Sequence, residues 1–344
     1  MKRHGVTVAL SVVACVAAAC VVPPQTGGRP PAPTTSTTTT TLPVLDPDLM
    51  RYEVVPLTSD ANGDGRIDRY FEGKWSTRPG GLPADGRFLV QLDACELVAG
   101  SNIGIEQVLD RAVVGRDCSM TTRLTEGSHE WTVRLAGRGE VSRTIDVVHH
   151  LVVGLGDSYG SGEGADDTFG TAAGWQDRNC HRAANAAQAR AALAIERADD
   201  QSAVTFLHLA CSGATIDEGL LGVYPEPPGK QAVPAQVVEA AQLTAGWQID
   251  ALFLSIGGND IEFSPVIKAC GVFDDCATVT RRVDDPLCEA LASFVRLRCN
   301  ETETGRPLHD EVQEALTELP ARYASVADCL SGSGQCSYNG QTLA

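Results

Sequence analysis

The chain has 344 residues, 43% of them hydrophobic, and a formal net charge of −17. That length supports more than one core, so two ordered units are expected. The negative balance excludes a nucleic-acid surface, because nothing in it would replace the counterions around phosphate; twelve cysteines without a zinc-like CxxC pair argue for an oxidising compartment rather than the reduced cytosol.

In chain order, Lys2, Arg3 and His4 precede the apolar stretch Val6 to Ala19, which Cys20 and Pro23-Pro24 follow. This is an export signal over residues 1–20. At about fourteen residues the apolar run is short for a membrane span, which needs ~20. Ala17-Ala18-Ala19-Cys20 resembles a bacterial lipoprotein cleavage site with an imperfect third residue before the cysteine. Val12-Val13-Ala14-Cys15 matches that pattern better but leaves a very short apolar region. Two outcomes stay open: a lipid tether to the cell envelope through Cys20, and plain cleavage after Ala19. Residues 21–45 are rich in Pro and Thr, with Thr37 to Thr41 unbroken, and read as a flexible surface tether.

Over residues 46–148, short alternating runs are punctuated by turns: Tyr52 to Leu57, Arg69 to Trp75, Arg87 to Leu92, Glu130 to Leu135 and Val141 to Val147. The spacing predicts a small, immunoglobulin-like β-sandwich. Cys95 and Cys118 are the only cysteines in this stretch, and pairing them is the economical expectation. Asp60, Asn62 and Asp64 alternate, with Gly65 at the sixth position and Asp68 at the ninth. Calcium loops use this spacing. Asp60, Asn62, Asp64, Asp68 and the Arg66 carbonyl are the candidate ligands of a structural calcium; position twelve is Phe71 where an EF-hand has Glu, and the competing reading is a solvated hairpin turn.

From residue 149 onward, long apolar strands alternate with helical stretches, which predicts an α/β layer around a parallel sheet. The strands are Leu151 to Leu155, Val204 to Ala210 and Ala251 to Ile256; the helices are Ala183 to Ala198, Pro234 to Leu243, Pro286 to Arg298 and Asp310 to Leu330. In the last helix Val312, Leu316, Leu319, Tyr323, Val326 and Leu330 predict one buried stripe interrupted by Pro320. Each strand ends in a turn: Gly156-Asp157-Ser158, Cys211-Ser212-Gly213-Ala214 and Gly257-Gly258-Asn259-Asp260. Ligands of such sheets sit beyond the carboxyl ends of the strands. Ser158 is the candidate nucleophile, and the Gly213 and Ser158 N–H groups and the Asn259 carboxamide are suitable oxyanion donors. A dinucleotide loop at Gly154-Leu155-Gly156 fails, because position 159 is Tyr where the motif needs Gly.

GDSYGSGEG, ACSGATI and SIGGND, each at a strand end, resemble the first three blocks of the GDSL or SGNH hydrolases. More narrowly, the chain is similar to actinobacterial secreted esterases that carry a Trp175…Cys180-His181-Arg182 stretch after the serine block. The resemblance covers about residues 149–344. It implies a flavodoxin-like three-layer α/β domain, Ser158 as nucleophile, Gly213 as backbone oxyanion donor and Asn259 as side-chain donor. It implies no catalytic cofactor, and a monomer is expected. The family also carries its general base in a late Asp-x-x-His block, which these 344 residues lack. Of the histidines, His149 and His150 should lie at the opposite end of the first strand, roughly 20 Å from Ser158. His208 reads as core, His129 belongs to the sandwich and His309 to a late helix. His181 is the near candidate, although it reads as structural. Only three parallel strands are legible, which leaves Leu252-Phe253-Leu254 as an apolar edge. The expectation is therefore a C-terminally truncated domain.

Ten cysteines follow Cys20. Cys180 with Cys211 would stiffen the site, and Cys329 with Cys336 would close a small loop. Cys288 and Cys299 would stand about 16 Å apart on a helix, beyond a ~7 Å Cα limit, so the pairing of Cys270, Cys276, Cys288 and Cys299 stays open. The expected activity is a secreted or surface-tethered serine esterase acting on carboxylic esters, whether lipid, acetyl or small. The alternative is a catalytically inert envelope-surface binding protein.

Overall fold

The computed structural model describes residues 45–56, 82–99, 101–165, 175–270, 276–278, 307–331, 336–338 and 341–343. The calcium-loop residues Asp60, Asn62, Asp64, Arg66 and Asp68, the strand expected at Arg69 to Trp75 and the helix expected at Pro286 to Arg298 lie outside them. The described residues belong to one compact unit beginning at Leu42.

Strands β1 (Arg51–Val54), β2 (Arg87–Asp93) and β5 (Ser119–Thr125) form an antiparallel sheet in the order β1-β2-β5. A second sheet begins with β3 (Ile105–Leu109), β4 (Ala112–Gly115) and β6 (Gly127–Leu135), in the order β4-β3-β6. Alternation decides which side chains go inward. Phe88, Val90 and Leu92 of β2 meet Trp131, Val133 and Leu135 of β6 in one core. Trp131 is fully buried and donates its indole N–H to the Gln107 Oε1 at 3.0 Å, so the largest core residue carries no unmet polar group. The Cys95–Cys118 disulfide expected from the sequence is present.

The strands β3, β4 and β5 were not among those expected. The β3-β4 hairpin turns at Asp110-Arg111, both with positive φ (47° and 72°), where two-residue turns ordinarily use Asn-Gly or Asp-Gly. With no glycine at this turn, the sequence carries no local signal for it.

The main departure from expectation is β7 (Gly139–Gly156), a single strand of 18 residues. The sequence predicts two runs, Val141 to Val147 and Leu151 to Leu155, broken at His149-His150. Instead His149 is buried within the strand, where Nε2 lies 2.9 Å from the Thr205 Oγ1 and the ring stacks on Phe88 at 4.7 Å. Burial pushes its pKa down to about 4, so it packs as a neutral ring. The first half of β7 pairs antiparallel with β6, and the second half pairs parallel with β8 (Ser202–His208) and β9 (Ala251–Ser255).

The parallel part is an α/β layer in the order β8-β7-β9. Helix α2 (Ala187–Glu196) covers one face, where Ala189 and Ala192 meet Val152, Val204 and Phe206. On the other face, Leu151, Val153, Leu155 and Leu207 meet Ala240 of α3 (Gln236–Leu243) and Val326 of a 23-residue helix, Leu308–Leu330. The C-terminal part of that helix packs on this core, and Leu308 is buried at its other end. Val326 is buried, while Leu316 and Tyr323 are 43% and 39% exposed, so the expected six-residue buried stripe is shorter than its periodicity suggests. Pro320 sits inside the helix without ending it. Among the described residues β9 pairs only with β7, and its Leu254 is exposed.

Candidate active site

The three parallel strands finish at one edge, and backbone hydrogen bonds hold their ends together. Cys211 N–H donates to Gly156 O at 2.9 Å, and Asp157 N–H donates to Ser255 O at 2.8 Å. Two buried amides reinforce the end of β7: Gln236 exchanges a pair of hydrogen bonds with the Gly156 backbone (2.7 and 2.9 Å), and Gln188 donates to Leu155 O at 2.9 Å. No sequence signal marked either glutamine.

Ser158 opens the short helix α1 (Ser158–Ser161), with Asp157 as N-cap accepting from Tyr159 N–H. Ser158 is half-buried, and its hydroxyl finds no hydrogen-bonding partner among the described residues. Behind it, His208 is fully buried with Nε2 3.0 Å from Gly160 O. Burial and the Arg182 charge push its pKa down to about 3, which fits the core role expected for it. Tyr159 is 59% exposed beside the serine, and its ring lies 6.0 Å from that of Phe263 in α4 (Phe263–Cys270).

Gly213 is exposed, with φ +85°, and a Cβ there would clash with the Tyr224 hydroxyl. Asn259, half-buried, donates its Nδ2 to Ala214 O at 2.9 Å. The second and third turns are thus joined directly next to both proposed oxyanion donors, and one carboxamide N–H of Asn259 is left for a ligand. The Cys180–Cys211 disulfide ties the segment after α1 to the second turn, as expected. Beside it the buried Arg182 donates to Ala210 O at 2.9 Å and pairs with Asp177 at 3.1 Å. His181, between them, stacks on Trp175 at 4.7 Å with Nδ1 2.8 Å from the Glu163 Oε2. Among the described residues no histidine hydrogen-bonds Ser158. Cys270 and Cys329 are also disulfide-bonded; the Cys336 side chain expected opposite Cys329 lies outside the described residues.

Two buried carboxylates, neither singled out from the sequence, sit under these turns. Burial holds the Asp157 carboxyl up at about 6, against the N–H donors Tyr159 and Gly258, and the Asp260 charge adds to the rise. Asp260 accepts the Ile216 N–H at 3.1 and 3.2 Å on its two oxygens and is raised by burial, opposed by Ile216 and Arg322. Among the described residues no cluster of three metal-ligating side chains occurs, and no helix is long and apolar enough to cross a membrane.

No family model matches this chain, and no curated protein does. Among solved structures, a family two carbohydrate esterase from Cellvibrio japonicus is 13% identical with a TM-score of 0.22, over 82% of this chain and 99% of that one. A carbohydrate acetylesterase from Xanthomonas citri is 12% identical with a TM-score of 0.18, over 82% and 76%. At this distance neither likeness bears on the chemistry of the site.

Proposed function

We propose that this chain is a serine hydrolase of carboxylic esters. The Ser158 Oγ adds to the ester carbonyl while the tetrahedral oxyanion accepts hydrogen bonds from the Gly213 N–H and the Asn259 carboxamide; the acyl C–O bond then breaks, the alcohol leaves with the proton given up by Ser158, and water hydrolyses the acyl-serine to the free acid. The observation that carries the reading is the edge itself: a hydroxyl without a partner among the described residues, on a capped turn, beside two turns that carry donor groups and are bonded to each other. The resemblance of GDSYGSGEG, ACSGATI and SIGGND to SGNH hydrolase blocks supports the same roles. Two disulfides fit an oxidising compartment, and with the N-terminal signal they support a secreted or envelope-tethered enzyme.

A second reading, an inert envelope-surface binding protein, is favoured by one observation: no histidine in the described residues hydrogen-bonds Ser158, and a serine without a base is a poor nucleophile. Hydrolysis of a chromogenic acetyl ester separates the two. The hydrolase reading expects turnover and phosphonate labelling that both vanish in Ser158→Ala; turnover equal in parent and variant, or none in either, overturns it.

A further inference from the structure

The 23-residue helix Leu308–Leu330, here α5, lies outside all three sequence blocks, yet two of its adjacent side chains grip the third turn. Arg322 Nη1 donates to Asp260 Oδ1 at 3.2 Å, and the Tyr323 hydroxyl donates to Ile256 O at 2.7 Å. Asp260 directly follows Asn259, and its two oxygens hold the Ile216 N–H two residues past the second turn. Asn259 in turn holds Ala214 O, next to Gly213. A continuous chain of hydrogen bonds therefore runs from Arg322 through Asp260 to both turns that carry the proposed donors. The Asp260 side chain is almost wholly buried, and the only cation paired with it among the described residues is Arg322. The Ile216 N–H and Arg322 both favour the charged carboxylate against its burial.

We propose that Arg322, assisted by Tyr323, is a positioning residue: its hydrogen bond holds the Asp260 carboxylate in place and so fixes the Asn259 carboxamide and the Gly213 N–H at the spacing an oxyanion requires. The proposal rests on the serine-hydrolase reading for its kinetic consequence, and on the hydrogen-bond chain alone for its structural one. Around Asp260 stand Arg322 and Tyr323 from α5, Asp217 from the loop after β8 and Asp157 from the end of β7; Glu318 reaches it only through Arg322, at 3.0 Å. Of these only Arg322 is positive, so removing it raises the Asp260 pKa further.

The test compares the full chain with Arg322→Ala, Arg322→Lys, Asp260→Asn and the double variant Asp260→Asn/Arg322→Ala, using a chromogenic acetyl ester. Alongside, the side-chain amide resonance of Asn259 is followed in asparagine-labelled protein and assigned by its loss in Asn259→Gln. Expected for Arg322→Ala is a fall in kcat of about tenfold to a hundredfold, the scale for misplacing a reacting geometry by about 1 Å, with KM within about twofold. The acid limb of the kcat profile moves to higher pH, and the Asn259 resonance shifts. Arg322→Lys restores most of each, and the double variant is no slower than Asp260→Asn alone. Parental kcat, pH profile and amide resonance in Arg322→Ala would overturn the proposal, as would effects of the two substitutions that multiply. If the parent shows no Ser158-dependent hydrolysis, the functional reading fails and the resonance alone decides: moving in Arg322→Ala and returning in Arg322→Lys supports positioning, and no movement refutes it.

Discussion

The Asp157 N–H donates to the Ser255 carbonyl at 2.8 Å, fastening the end of β7 to the end of β9 at the residue before the candidate nucleophile. The contact is possible because residue 156 has no Cβ. Gly156 adopts φ +137°, and a Cβ there would collide with the Ser255 carbonyl oxygen.

Gly156→Ala therefore meets both a backbone clash and a strained φ. A loss of about 3 kcal/mol or more is expected, large for one methyl group. Urea unfolding reads it, and a change below about 1 kcal/mol would show that the edge adjusts freely.

The Cys180–Cys211 bond closes 31 residues of chain across the site. Replacing both cysteines by alanine should cost about 4 kcal/mol by the loop-entropy scale. Because Ser212 N–H also bonds Cys180 O, the second turn should loosen and ester turnover should fall with stability. Thermal unfolding and kcat measured together check this; stability lost with kcat unchanged would separate the disulfide from the site.

Asp157 gives a pH dependence of definite sign. Its carboxyl ionises near 3.8 in the ordinary state and near 6 when buried in the fold. Between these values the folded chain holds a proton that the unfolded chain has lost, so this group lowers stability as pH rises from about 4 to 6, after which the penalty is constant. The full effect is roughly 3 kcal/mol. Asp157→Asn should remove that slope, so that the variant gains on the parent across this window. Denaturant midpoints at a series of pH values measure it, and parallel curves would refute it.

His208 has the opposite sign. Buried and held neutral down to about 3, it leaves the folded chain without a proton that the unfolded chain binds below 6.5. Its contribution to stability is thus lost as pH falls through that window. Imidazole nitrogen shifts at pH 5 should show His208 neutral; a protonated His208 at pH 5 would contradict the buried packing against Gly160.

Much of the α/β layer was legible locally. Mostly apolar runs marked β8 and β9, small and polar turns marked where the parallel strands stop, and Ser158, Gly213 and Asn259 sit in those turns because small and polar residues are what a strand end demands. The last helix was legible as periodicity, but its buried length was not: periodicity states which side chains share a face, while what covers that face depends on the neighbouring layer.

What the amino-acid order alone determined is the strands β8 and β9, the turns after them and the helices α2, α3 and α5, since alternation, helical spacing and turn chemistry act over a few neighbours; the helix Phe263–Cys270 was not among those expected. Tertiary structure decided the rest. It ran one strand through His149 by supplying Thr205 and Phe88 as partners, and it closed a hairpin at Asp110-Arg111 with no glycine. It also set Arg322 against Asp260 across 62 residues of chain. Such contacts follow from packing between distant segments, and no local pattern encodes which buried carboxylate a helical arginine will meet.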